Sequence, residues 1–307
     1  MRARAAAPAA LACALALGAC GLGAGSSPGA VQLLVTRDFG AEVLHAAPHP
    51  KISGEETVMS LLLRNYSVST RYGGGFVQGI GGAEGGEAGG HPTDWFYYVN
   101  GIEAPKGAAA TDVHPGDRIW WDLHDWSQTQ DIPAVVGSYP EPFLNGTSGR
   151  RLPVRVECAS LGVACQTVAA RLRAAGVPAG VSALSAGGGA QILRVLVGTW
   201  NRLRGASDVA PIGRGPRASG VYATFGEGGR TLTLLDADGH AVQTLGAGAG
   251  LVAATSGESE GIVWVITGTS GAGVERAAAA LDEAQLRHRF ALAVSATAAT
   301  PLPAEEG

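Results

Sequence analysis

DWFYYVNGIEA (94–104) sets four large aromatic side chains in a row just before an Asn-Gly pair. Successive side chains of a strand point to opposite faces. Trp95, Tyr97 and Val99 therefore share one face, and Phe96, Tyr98 and Asn100 the other. Asn-Gly suits a two-residue type I′ turn, whose central residues both need positive φ. The next aromatic run, RIWWDLHDW (118–126), splits the same way, with Ile119, Trp121 and Leu123 against Arg118, Trp120 and Asp122. Trp, Tyr and Phe occur six times each, and seven of these rings fall between 95 and 126. One helix can cover only one face of such a sheet. The rings of the other face are covered by another part of the chain or are open to a ligand.

Outward from this centre, VQLLVTRDFG (31–40) and AEVLHAA (41–47) read as a hairpin turning near Asp38–Gly40. Ser53 and Glu56 have capping-box spacing. They precede TVMSLLLRNYS, where Val58, Leu61, Leu62 and Asn65 fall on one helical face. STRYGGGFVQGIGG reads as a weak, Gly-broken strand, GAEGGEAGG (82–90) as a loop without core-forming residues, and Val113–Asp117 as a tight turn. The order strand, strand, helix, strand, strand, strand predicts a β-grasp unit, one helix across a mixed sheet, over 31–126.

Residues 127–151 hold three prolines and read as a linker that packs partly through Ile132, Val135, Val136, Tyr139 and Phe143. A second unit, 152–298, opens with the strand VRVECA and the helix CQTVAARLRAAGV, stopped at Gly176. It continues through ILRVLVGTW, the hairpin GVYATFG/LTLLDADGHAVQTLG turning at Asp236–Gly239, then LVAAT and IVWVITGT. It ends in the helix AGVERAAAALDEAQLRHRF and the strand ALAVSA. The expected class is α+β overall, a β-grasp followed by an α/β sandwich with a mixed sheet. Residues 299–307 are expected to be a disordered tail.

The N-terminus predicts export. Arg2 and Arg4 precede an apolar run at 5–19 that is too short to span a bilayer. Leu17-Gly18-Ala19-Cys20 has the lipobox pattern. The reading is a leader at 1–19, a lipid-bearing Cys20 and a Gly/Ser-rich tether at 20–30. Cys158 and Cys165 remain as a pair in an oxidising compartment and are expected to form a disulfide. The formal charge of −4 becomes more negative by two when Arg2 and Arg4 leave, which argues against nucleic acid.

Thr57-Val58-Met59 with Leu62, D-W-F-Y-Y-V-N-G-I (94–102) and V-H-P-G-D-R-I-W-W-D (113–122) resemble the transcobalamin-type soluble-ligand-binding β-grasp domain, which also occurs in bacterial surface lipoproteins. The resemblance covers 31–126. It implies non-catalytic binding of a soluble ligand. In the cobalamin carriers a corrinoid lies between this domain and a large α-helical barrel, and no such barrel is legible here. The resemblance does not extend to the second unit.

The remaining chemistry is sparse. His114, Asp122, His124 and Asp125 lie close in sequence, but a polar strand end accounts for them and no metal is expected. GTSGAGVER (268–276) reads as a plain strand-to-helix turn without the Lys-Ser/Thr of a P-loop. Glu55-Glu56 and Glu258/Glu260 read as solvated. No nucleophile elbow or zinc-protease helix occurs, so no enzyme is expected, the second unit being the less certain part. The expected function is capture of a soluble small molecule, cobalamin-like compounds first, by a lipid-anchored protein serving a membrane transporter. Trp95, Tyr97, Tyr98, Asn100, Trp120, Trp121, Asp122, His124 and Trp126 form the expected ligand-facing set. The alternative is a surface-assembly protein whose aromatic face packs on its own second unit or on a partner protein.

Overall fold

The computed structural model describes residues 30–52, 54–184, 191–257 and 261–305. The expected leader, lipid-bearing Cys20, most of the tether, Ser53 of the expected capping box, and Glu258/Glu260 lie outside the described residues. The fold is α+β. Among the described residues, no helix is long and apolar enough to cross a membrane.

The first unit contains β1 Gln32–Arg37, β2 Glu42–Ala47, α1 Val58–Asn65, β3 Val68–Arg71, β4 Phe76–Ile80, β5 Ala83–Glu84, β6 Gly86–Ala88, β7 His91–Val99, β8 Ile102–Glu103 and β9 Arg118–Asp125. Its main sheet runs β2-β1-β9-β7-β6, with β8 paired to β7. β1 and β9 are parallel, and β7 is antiparallel to β9 with Tyr98 opposite Trp120 and Tyr97 opposite Trp121. One helix across a mixed sheet of this order is the β-grasp arrangement. Asn100 and Gly101 both have positive φ, as the turn after β7 requires.

Local details differ from the sequence reading. Thr57, not Ser53, caps α1: its side chain accepts from Ser60 N, and Ser60 Oγ accepts from Thr57 N at 2.9 Å. Glu56 instead accepts from Arg64 at 3.0 Å. The stretch 82–90 is not a loop throughout. β5 pairs with β4, and β6 pairs with β7. These are main-chain ladders at sheet margins, where the small side chains carry no periodic signal.

The second unit contains β10 Val154–Cys158, α2 Val163–Ala174, β11 Ala179–Ala183, β12 Leu193–Thr199, α3 Trp200–Leu203, α4 Pro216–Ser219, β13 Ala223–Phe225, β14 Leu232–Leu235, β15 Ala241–Leu245, β16 Gly250–Ser256, β17 Ile262–Gly268, α5 Gly271–Ala279, α6 Glu283–Leu286, β18 Ala291–Val294 and β19 Ala299–Leu302. Its seven-stranded sheet runs β11-β10-β12-β17-β16-β18-β19, and β13-β14-β15 form a separate small sheet. The first four strands of the large sheet are parallel, the rest antiparallel. Cys158 and Cys165 are disulfide-bonded, joining β10 to α2.

Two expectations fail here. Residues 299–302 are a strand on β18, with Leu302 and Ala304 buried, not a disordered tail. The long helix expected over 272–290 is two helices, because Asp282 caps a new one by accepting from Ala284 N at 3.0 Å.

The packing follows from strand alternation. Val195, Val197, Trp264 and Ile266 face α2 and α5. Leu196, Val263 and Val265 face the other way, into a core shared with the first unit. That core takes Phe39, Tyr98 and Trp120 from the β-grasp and Tyr222 and Phe290 from the second unit. Phe290 is edge-on to Phe39 (5.4 Å), Tyr98 (5.6 Å) and Trp120 (5.2 Å), a geometry aromatic quadrupoles favour. The connecting segment is buried too: Ile132 and Val135 join this seam, while Val136, Tyr139 and Phe143 pack into the core under α2 and α5. Gly137 is required there, since a Cβ would stand 2.7 Å from both Arg289 N and the Trp120 ring.

Phe290→Ala is expected to cost about 3–5 kcal/mol, the usual range for emptying a buried Phe site. Because the ring packs on both units, denaturant midpoints followed by far-ultraviolet circular dichroism and by Trp fluorescence should both fall.

Candidate functional site

The β7–β9 pair sorts the expected ligand-facing residues into four places, none of them an open aromatic surface. Trp95, Tyr97 and Trp121 belong to the core under α1, where Tyr97 and Trp121 stack at 4.7 Å. Asn100 is buried and holds its turn, donating to Asp117 Oδ1 at 2.8 Å and Gly146 O at 3.0 Å and accepting from Arg118 N at 2.9 Å. Tyr98, Trp120, Asp122 and His124 face the second unit and are sealed by it. Trp126 is half-buried just past β9.

Asp122 and His124 sit in a polar chain inside the apolar seam. Asp122 is 0% exposed and accepts from Phe39 N (3.1 Å), Gly40 N (2.9 Å) and the Thr36 hydroxyl. Trp120 Nε1 donates to Thr36 Oγ1 at 2.7 Å, and His124 Nδ1 lies 2.8 Å from Asp122 Oδ1. The His124 ring is stacked between Phe39 (4.6 Å) and Phe96 (4.4 Å). Burying a carboxyl group is tolerable only when its hydrogen-bonding capacity is filled. Four donors meet that condition here and fix the turn after β1 against β9.

The open concavity lies elsewhere, at the far end of β7. A cleft of about 980 Å³ runs between the two units, at the upper end of the small-molecule range. Ile102, Glu103 and Lys106 form its β-grasp wall, Asp131 comes from the connecting segment, and Leu193 and Ile262 from the second unit. None of the nine residues expected from sequence lines it. Burial, with the charge of Asp131 adding to it, pushes the Glu103 carboxyl up to about 8, although the Ile132 N–H partly offsets this. A carboxylic acid that keeps its proton near neutrality can donate a hydrogen bond to a ligand, and strongly shifted groups in clefts mark functional sites. The sequence signal was a single acidic residue directly after an apolar strand and an Asn-Gly turn. Its partners lie far away in the chain and form no motif.

Comparison with known proteins bears on the first unit. Residues 55–125 match the family model described as Domain of unknown function (DUF4430). The match is confined to this stretch of the first unit. The DUF4430 segment runs from the residues before α1 to the last residue of β9, and so includes both aromatic strands and Glu103 but none of the second unit. No curated protein and no solved structure matches the chain.

Glu103 gives a pH signature. The folded state keeps this proton up to about 8, whereas an ordinary glutamate releases it near 4.5. Between those values the folded state binds more protons than the unfolded chain, so stability falls as pH rises. Glu103→Gln removes this dependence. Its advantage over the parent in urea-melt midpoint should be small near pH 4.5 and grow towards pH 8.

Proposed function

We propose that this protein is an exported, lipid-anchored binding protein that holds a soluble small molecule in the cleft between its two units and performs no chemistry on it. The observation that carries this reading is the cleft itself, with a protonated acid on a wall of mixed polar and apolar groups. Its β-grasp face would supply a hydrogen-bond donor from Glu103 and a cation from Lys106, beside Thr111 and Asp112. The apolar stretch Ile102, Leu193 and Ile262 suits a ligand with a sizeable non-polar body and acceptor groups at one edge. The transcobalamin-type resemblance points the same way, since there the ligand lies between the β-grasp domain and its neighbour. Corrinoids are therefore the first compounds to test. The disulfide fits an oxidising compartment, and the sequence before residue 30 supplies the expected anchor. A captured ligand implies hand-over to a membrane transporter.

A second reading, a surface-assembly protein, is favoured by one observation: the aromatic face is already consumed by the protein's own second unit. Under that reading the cleft takes no ligand.

Calorimetric titration with cobalamin, cobinamide and a panel of neutral polar-edged compounds separates the two. Binding in the cleft predicts saturable one-to-one heat with at least one of them. It should be lost in Ala104→Trp, which fills the cleft, and weakened in Glu103→Gln, with circular dichroism unchanged in both. Heat that survives Ala104→Trp would contradict the cleft, and no heat with any compound would favour assembly.

A further inference from the structure

At the opposite end of β7 from the cleft, the two units meet through ionisable groups instead of rings. His91 opens β7 and Asp125 closes β9, while Asp238 stands in the turn between β14 and β15 of the second unit. His91 Nδ1 lies 3.3 Å from Asp125 Oδ2 and 3.3 Å from Asp238 Oδ1. The nearest ligand atoms of all three fall within 4.8 Å of one another. The same turn, Asp236-Ala-Asp-Gly-His240, gathers Asp236, Asp238 and His240 into a second group that shares Asp238. His240 Nδ1 is 3.7 Å from Asp236 Oδ2.

These spacings are those of metal ligands. Tetrahedral ligands at about 2.0–2.1 Å from a zinc ion stand about 3.3–3.4 Å from each other, which is the separation His91 keeps from both carboxylates. Imidazole among carboxylates suits first-row divalent ions better than calcium or magnesium, which take oxygen. A second observation comes from inside the protein. Tyr222 is 1% exposed, and its hydroxyl has no hydrogen-bond partner among the described residues. Burial first, then the charges of Asp125 and Asp238, raise its pKa. His91 and Asp238 are each about half exposed, which leaves the ion a way in from solvent.

We propose that His91, Asp125 and Asp238 bind one divalent transition-metal ion of the zinc class across the seam between the two units. Asp236 and His240 support the shared ligand from the same turn. The ion clamps the end of the interface that lies one strand length, about 26 Å for nine residues, from the cleft. Ligands from both units make the site a staple: it exists only when the units are docked, so the ion stabilises the docked form by mass action. This inference is independent of what the cleft holds.

The test is calorimetry on the tag-free full chain, stripped with chelator and titrated with zinc chloride and, separately, with calcium chloride, alongside thermal melts. Expected are one saturable zinc site, weaker calcium binding, and a Tm raised by zinc. Both His91→Ala, in the first unit, and Asp238→Ala, in the second, should weaken zinc about tenfold or more, since even outer-shell partners of metal ligands are worth that much. Both should also lose the Tm increment while folding normally without metal. Absence of saturable zinc binding would overturn the proposal and leave His91 as an ion-pair partner of the two carboxylates only. Loss in Asp238→Ala but not in His91→Ala would also overturn it, placing the ion in the β14–β15 turn alone. Calcium bound more tightly than zinc would overturn the assigned metal class.

Discussion

Trp120 and Trp121 are adjacent on one strand and so point to opposite faces of the same sheet. No single layer can bury both. α1 covers Trp121 and its neighbours, and the second unit covers Trp120. The two-unit architecture answers this constraint: a β-grasp sheet apolar on both sides needs a second cover, and the seven-stranded sheet presents one through Phe290, Tyr222 and the alternate residues of β16 and β17. Each large ring removed from water contributes on the order of 2–3 kcal/mol, so the seam is a core in its own right beside the cluster under α1 and the one under α2 and α5. Ile132 and Val135 of the connecting segment are drawn into it, and Gly137 is dictated by the Trp120 ring and the Arg289 backbone.

Set within that apolar seam is the chain Trp120–Thr36–Asp122–His124. Apolar contact alone would tolerate small slips between the units, whereas a buried carboxyl with four donors tolerates none without orphaning a polar group. Its donors come from β1, the turn after it and β9, so it fixes the shape of the surface on which the second unit docks. Asp122 and His124, adjacent on one strand face, looked in sequence like ligand-facing polar residues. The structure gives them a scaffold role, and it moves the accessible chemistry to the two ends of β7.

Much of the frame was legible because it rests on local rules. Alternation in 94–99 and 118–123 sorted the rings correctly, Asn100-Gly101 specified its turn, the apolar residues at 132–143 marked a partly packed linker, and Cys158 and Cys165 paired. The failures share one cause: information that is not local. β5 and β6 are held by main-chain partners, so Gly and Glu there carry no pattern. β19 forms because β18 offers an edge. Asp282 divides an Ala-rich stretch that periodicity alone runs together. Whether Trp120 met a ligand or a protein surface depended on residues more than a hundred positions away. The cleft likewise assembles from Glu103, Asp131, Leu193 and Ile262, each unremarkable in its own neighbourhood.

The central claim is that the aromatic face is an internal seam, and Trp accessibility tests it most directly. Trp95, Trp120, Trp121, Trp200 and Trp264 are buried, and Trp126 is half-buried. Acrylamide quenching of the native protein should therefore report one accessible indole, which disappears in Trp126→Phe, with all the remaining indoles becoming quenchable only on denaturation. A native Trp126→Phe protein that still shows an acrylamide-accessible indole, lost when Trp120 is also replaced, would mean that the face is open and that the two units are not sealed together.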